Sequence, residues 1–224
     1  QAQIGIAMQS GSAATRGVAD IVLLNDSFAA LPTAFMEGQR ILNGMEDIIR
    51  LFLTRAFYAA FIILGVAVVA EPNLFPFIPK HASLLTLVTV GFPTFAIAAW
   101  SRPGIPNHNL SQSILHFILP AALSLAGAAL TIYALYLGYY WYPERMVEAE
   151  AINLAQTALT TSVIFMGLLL VVFTEPPSEF WVGGDDLSND WRPTILAGVM
   201  FVIYITLLLS DPMRDFFELA QLRL

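Results

Sequence analysis

The sequence contains no cysteine, which excludes a disulfide framework and any thiolate-based metal or redox centre. Charge is also scarce. Only 12% of the 224 residues are Asp, Glu, Lys or Arg, where a soluble domain carries about 25%. Basic residues are the rarer sign, 10 against 17 acidic ones. The resulting net charge of −7 argues against a nucleic-acid partner and against tight binding to anionic lipid heads. No basic segment precedes an apolar run at Gln1, so no signal-peptide pattern is visible. Histidines 81, 108 and 116 have no spacing that would join them as metal ligands. No internal repeat or low-complexity tract breaks the chain. What it has in quantity is apolar side chains, 57% of the total, and that places it in the membrane class.

Residues 30–70 organise the rest. Residues 34–47 read as a polar helix, and the pattern continues without proline into an almost wholly apolar run. Gly38 and Gly44 weaken the first half by roughly 1 kcal/mol each. Such a helix starts in water and ends in lipid, so it can carry motion from one phase to the other. Before it, Ile4-Gly-Ile-Ala-Met8 and Ala19-Asp-Ile-Val-Leu-Leu24 read as short strands with a helix at 12–18 between them, the unit of a parallel α/β sheet. Two such strands need sheet neighbours to be stable, so the expectation is a piece of a longer chain. Gly5 and Gly11 are too isolated to suggest a phosphate loop and suit tight turns.

Apolar spans are expected at 47–70, 82–100, 113–141, 151–173 and 193–210; the first suffices to cross a hydrocarbon core of roughly 30 Å. A proline-rich hairpin at 71–79, a turn at 101–108, an aromatic cluster at 139–142 suited to a membrane interface, a charged loop at 143–150 and an acidic loop at 175–190 separate them. Residues 211–224 are too charged to span. With the amino-terminal piece in the cytoplasm, Arg40, Arg50, Arg102 and Arg192 fall inside, and Lys80, Arg145, Arg214 and Arg223 outside. Charge bias therefore gives no orientation.

Three motifs in order, Ile4-Gly-Ile-Ala-Met-Gln-Ser-Gly-Ser12, Ala19-Asp-Ile-Val-Leu-Leu-Asn-Asp-Ser-Phe28 and Glu37-Gly-Gln-Arg-Ile41, resemble the end of the phosphorylation domain of P-type (E1–E2) cation-transporting ATPases. Thr86-Leu-Val-Thr-Val-Gly-Phe-Pro-Thr94 resembles the sixth membrane helix of that family. Asp211-Pro-Met-Arg-Asp-Phe-Phe-Glu-Leu219 resembles its link between helices nine and ten. The resemblance implies a mainly α fold, a polytopic transmembrane helix bundle with a small α/β remnant of a HAD-like (Rossmann-type) domain. It assigns residues 1–33 to the end of that cytoplasmic domain and 34–70 to a stalk and the first span, helix five of the parent. The remaining spans become helices six to nine, and 211–224 an extracytoplasmic link to a missing last helix. ATP and Mg2+ would be bound by the intact parent outside this chain, because the phosphorylated aspartate and the Gly-Asp-Gly-x-Asn-Asp motif lie upstream. No catalytic or cofactor-binding residue is expected within the 224 residues.

The family's ion ligands are only partly matched. Val90 stands where the sixth helix often carries aspartate, and Ala56 and Ala59 where the fifth carries Asn and Glu. This departs from a calcium or sodium site and suits a bacterial subgroup with Gly-x-Pro-x-Phe in the sixth helix, for which calcium has been proposed. Thr86 and Thr89 lie about one helical turn apart, and Pro93 supplies no N–H to the Thr89 carbonyl. Either these oxygens touch an ion, or the hydroxyls bond back within the helix. Asn153, Gln156, Thr157, Thr160 and Thr161 give the fourth span a polar face that serves ion contact or helix packing. Tyr58 and Gln156 join Thr86, Thr89 and Pro93 as the candidate ion pathway. Glu37, Gly38, Arg40 and Arg55 are the candidate coupling residues; Arg55 either acts at depth or snorkels to the surface.

The function expected is the transport portion of an ATP-driven cation pump in a bacterial plasma membrane. Its partners would be a transported cation (calcium first), the lipid bilayer and the remaining domains of the same pump. A non-enzymatic membrane protein, such as a secondary transporter or an anchor with a soluble cap, would account for the spans but not for the motifs at 4–41.

Overall fold

The computed structural model describes residues 3–69, 75–104, 110–140, 148–174 and 190–221. The aromatic cluster beyond Tyr140, the acidic loop at 175–189, the first half of the proline-rich hairpin and His108 lie outside the described residues. The chain divides into two compact units, Gln1–Asn43 with Ser101–Pro106, and Gly44–Trp100 with Asn107–Leu224.

In the first unit, β1 (Ile6–Met8) pairs in parallel with β2 (Ile21–Leu23), Ala7 opposite Val22. Helix α1 (Ala13–Val18) connects them, and the Ser12 hydroxyl caps it by accepting from the Thr15 amide at 3.1 Å. The strands are shorter than the apolar runs because side chains tie off both ends. Asp20 accepts from the Gly5 amide at 2.8 Å, and Asp26 from the Ser10 amide at 2.9 Å. The Ser10 amide holds the exposed Asp26 carboxyl below the usual carboxylate range. A 3₁₀ turn at Leu24–Asp26 carries Asn25 and Asp26 at φ of 62° and 52°, a left-handed conformation that Asn and Asp tolerate.

Helix α2 runs unbroken from Ala30 to Val69, starting a turn earlier than its polar pattern suggests. Its residues to Asn43 belong to the first unit and those from Gly44 to the second. Within the first unit, Ser101 donates to the Arg40 carbonyl at 3.0 Å and Asn43 donates to the Arg102 carbonyl at 3.0 Å. Gly104 fits there because an added Cβ would stand 2.6 Å from the Asn43 amide nitrogen.

The second unit is a helix bundle. Pro79 starts helix α3 (Pro79–Thr86), which continues through a π turn at Leu87–Gly91 into α4 (Phe92–Trp100). Helices α5 (Leu110–Tyr140), α6 (Glu148–Thr174) and α7 (Arg192–Leu209) follow, then a short α8 (Asp211–Phe217). Among the described residues, five helical segments are long and apolar enough to cross a membrane: Ala30–Val68, Pro79–Trp100, Leu115–Tyr139, Ala149–Thr174 and Arg192–Leu209. The chain is thus an integral, multi-pass membrane protein. Helix α6 is the centre, with 67% of its most apolar window buried against 22% in α7. It packs along α5, where Ala122, Ala126 and Ala129 form a buried small-residue stripe. Lipid gives helices no hydrophobic reason to associate, so close approach over small side chains supplies the contact.

Both ends of this bundle are pinned by polar contacts. At one end, Lys80 pairs with Glu218 at 2.7 Å, the buried His81 ring faces the Glu218 carbonyl at 3.3 Å, and the Ala220 amide donates to Thr157 at 2.8 Å. Glu218 closes α8 in the left-handed conformation at φ 58°. At the other end, buried Arg50 pairs with Glu46 at 2.9 Å and lies over the Phe117 ring at 5.5 Å. The residues following α7 therefore share an end with the start of α3.

Candidate ion pathway

The second span is where the bundle departs from regular helix. Between Leu87 and Gly91 the turn widens, and the Phe92 amide donates to the Leu87 carbonyl five residues back. Pro93 has no N–H for the Thr89 carbonyl one turn earlier, whereas a Cβ added at Gly91 would make only ordinary contacts, with Thr86 O at 3.5 Å and the Leu87 side chain at 3.7 Å. Single π turns of this kind are frequent at functional sites.

Thr86 donates to the Ala82 carbonyl at 2.5 Å and Thr89 to the Leu85 carbonyl at 2.7 Å. Thr94 donates to Gly91 at 3.0 Å. All three hydroxyl protons are thereby directed into the helix, while the oxygens keep lone pairs free to accept or to ligate. Thr89, Pro93 and Thr94 are buried and Thr86 is half-buried.

Thr89 is also the point where other helices converge. A Cβ added to Gly167 of α6 would stand 2.9 Å from the Thr89 methyl and 3.0 Å from its Cβ, so glycine is what lets α6 lie against the π turn. Tyr58 of α2 comes from another side. It is 2% exposed, and its hydroxyl makes no hydrogen bond, although the Thr89 and Arg55 side chains are close enough to act on it. The Tyr58 contacts fall outside hydrogen-bond geometry, and the phenol is left as an unused donor.

Other expected residues lie elsewhere. Gln156 donates to the Phe75 carbonyl at 2.7 Å, and it precedes Gly167 on α6 by roughly 16 Å at about 1.5 Å rise per residue. The polar face of α6 is engaged in packing. Thr157 donates to Asn153 O at 2.9 Å, and Thr161 donates to Thr157 O at 2.8 Å and meets the Tyr204 hydroxyl at 2.7 Å. Thr160 is buried without a hydroxyl partner. Arg55 is half-buried and has no carboxylate partner among the described residues. In the first unit, Glu37 and Arg40 form an exposed pair at 3.4 Å, and Gly38 has open space around it. His116 is exposed.

Gly167 was not singled out from sequence. A lone glycine inside the apolar run Phe165-Met-Gly-Leu168 is a weak signal of close helix approach, and the helix it approaches cannot be read from it.

The five spans contain no Asp or Glu between 48 and 69, 79 and 100, 115 and 139, 151 and 174, or 193 and 209. Among the described residues no three His, Asp or Glu side chains converge as a metal site. The oxygens in the stretch around the π turn are neutral ones: the hydroxyls of Thr86 and Thr89, backbone carbonyls near Pro93 and the Tyr58 phenol. Hard cations accept neutral oxygen ligands of this kind, several at a time.

No family model matches the chain. It is 30% identical over 191 residues to the "Calcium-transporting ATPase CtpE" of Mycobacterium bovis, which covers 80% of this chain and 23% of the relative. It is 29% identical over 138 residues to the "Probable cation-transporting ATPase exp7" of Streptococcus pneumoniae, 59% of this chain and 18% of the relative. The "Calcium-transporting ATPase 3, endoplasmic reticulum-type" of Arabidopsis thaliana is 35% identical over 97 residues, 43% of this chain and 10% of the relative. The chain thus spans less than a quarter of the length of the curated relatives it matches.

Proposed function

From its homology to calcium- and cation-transporting P-type ATPases, we propose that this chain is the ion-conducting part of an ATP-driven cation pump. The observation that carries this reading is the identity to a calcium-transporting ATPase over 80% of the chain. The β1–α1–β2 piece is read as the end of a HAD-like phosphorylation domain. An aspartyl phosphate formed elsewhere in the parent from ATP and Mg2+ supplies the energy. The second span corresponds to the sixth helix of the bacterial subgroup with Gly-x-Pro-x-Phe. Calcium is the first candidate for the ion, and the bacterial plasma membrane the first candidate for its location.

This chain's own residues would work as follows. The π turn and Pro93 present the Thr89 carbonyl, the Thr86 and Thr89 hydroxyls and the Tyr58 phenol as neutral ligands, with Gln156 nearer the far end of the path. Charge compensation comes from other helices of the parent. Glu37, Gly38 and Arg40 sit on the polar portion of α2, so a tilt or bend started there travels along an unbroken helix to Arg55 and Tyr58. Coupling of this kind is reciprocal, and ion occupancy alters phosphorylation in turn.

ATPase assays on the full-length protein, titrated with calcium, magnesium, potassium and manganese, test this. One cation should stimulate turnover, and Thr89→Ala should raise the concentration of it needed for half-maximal activity. Turnover indifferent to every cation overturns the proposal. A cheaper check is the sequence preceding Gln1, where Gly-Asp-Gly-x-Asn-Asp is expected.

A further inference from the structure

At the end of the bundle opposite Arg50 and Glu46, the link that follows α7 is held to the start of α3 and to α6 by three contacts. Lys80 pairs with Glu218 at 2.7 Å, the His81 ring meets the Glu218 carbonyl at 3.3 Å, and the Ala220 amide donates to Thr157 at 2.8 Å. The Lys80 and Glu218 side chains are 46% and 57% exposed, so that ion pair contributes little. His81 is different. It is 0% exposed, and its Nδ1 has no hydrogen-bond partner among the described residues. A ring in that position is neutral and carries its proton on Nε2, where the Glu218 carbonyl accepts it.

A second proton would have to go on Nδ1. It would create a buried N–H with nothing to accept it and a full charge out of reach of water, and each is costly. The charged groups on the surrounding elements do not offset this. Lys80 on the same helix has the sign of a protonated ring, and so does Arg55 of α2, which lines a cleft with Pro79 and Ala82. In α8, Asp211 and Arg214 pair with each other and Asp215 is exposed. Helix α6 has no Asp, Glu, Lys or Arg between 151 and 174. The Glu218 carboxylate acts on the ring, but Lys80 already holds it. A protonated ring is therefore accommodated only where water reaches Nδ1, and that requires the link to leave it. We propose that His81 makes the α8 link a proton-sensitive latch: with the ring neutral the link is seated on α3 and α6, and proton uptake at Nδ1 releases it. A state that takes up a proton on opening is disfavoured above the ordinary histidine value of about 6.5 and gains population as pH falls below it. The measurement below reads the link itself and is independent of the pump reading.

A nitroxide attached at the exposed position 221 through Gln221→Cys reports the link, in the full-length protein in phosphatidylcholine nanodiscs with any other cysteine replaced by serine. Its spectrum separates immobile from mobile label without itself titrating. The ratio of mobile to immobile label should rise about tenfold from about pH 8 to about pH 5.5, as uptake of one proton on opening implies over roughly one pH unit. His81→Gln keeps an N–H for the Glu218 carbonyl but takes up no proton, and its ratio should stay flat over this range. Glu218→Gln keeps the carbonyl and should retain the step, which separates the latch from titration of the carboxylate. Nitrogen NMR shifts of the His81 ring, assigned by their absence from His81→Gln, follow the group itself in the unsubstituted protein. The ring should be neutral with its proton on Nε2 in mild alkali, and should become protonated in step with release of the link. A ratio independent of pH in the unsubstituted protein, a step that persists in His81→Gln, a step lost in Glu218→Gln, or a ring already charged in mild alkali overturns the proposal.

Discussion

Two side chains show what single atoms decide here. Gly167 has no side chain because Thr89 occupies the space. Gly167→Ala should destabilise the bundle by about 1–3 kcal/mol, the usual effect of overpacking, read as a loss of thermal stability of the full-length protein in detergent. Thr89→Ala in the same protein removes the atom 2.9 Å from the added Cβ and should recover part of that loss. An additive double mutant would mean that the two positions do not touch. Glu218 gives a pH dependence. The Lys80 ammonium, bonded to it at 2.7 Å, holds its carboxyl below the usual carboxylate range. A depressed pKa in the folded state means that the contact stabilises above the ordinary carboxylate pKa and is lost as pH falls through the depressed value. Side chains 46% and 57% exposed make the contribution small. Hydrogen exchange at the Ala220 amide, corrected for its intrinsic pH dependence, should lose protection in that window, and Glu218→Gln should flatten the profile.

Among the elements, α2 contrasts two glycines. Gly65 faces the Leu130 side chain, where an added Cβ would stand 2.5 Å from Cδ1, whereas Gly38 has nothing within 4 Å. Gly38→Ala should therefore stabilise the helix by about 1 kcal/mol through propensity alone, measured as a rise in unfolding midpoint. If bending at Gly38 serves coupling, turnover should fall in the same variant; unchanged turnover with raised stability would remove Gly38 from the coupling residues. The second span behaves differently. Its proline, its glycine and the one-turn spacing of its threonines were legible as a break in a helix. The π turn itself was not, because its form depends on which carbonyl each amide takes when no donor exists at 93.

For the whole molecule, the alternation of spans makes a prediction that the absence of cysteine makes convenient. Trp191 precedes α7, while Gln221 follows α8 at the end where Lys80 and His81 meet Glu218. Single substitutions Trp191→Cys and Gln221→Cys should react with a membrane-impermeant maleimide from opposite faces of sealed vesicles, and Phe75→Cys from the same face as Gln221→Cys. Labelling of positions 191 and 221 from one face would break the five-span topology.

Length and hydropathy alone determine that five helices among the described residues are long and apolar enough to cross a membrane, because an apolar run of bilayer length is most stable in the hydrocarbon core. The order of short motifs at 4–41 likewise points to a P-type pump before any coordinates are considered. What tertiary structure decided is which polar groups have partners. Thr157 and Thr161 share a face with Thr160 and Gln156, yet the first two are bonded to the tail and to Tyr204 while Thr160 is left unpaired. Helical periodicity states which face a residue is on; only the neighbouring helices, distant in sequence, determine whether its hydrogen-bonding capacity is met.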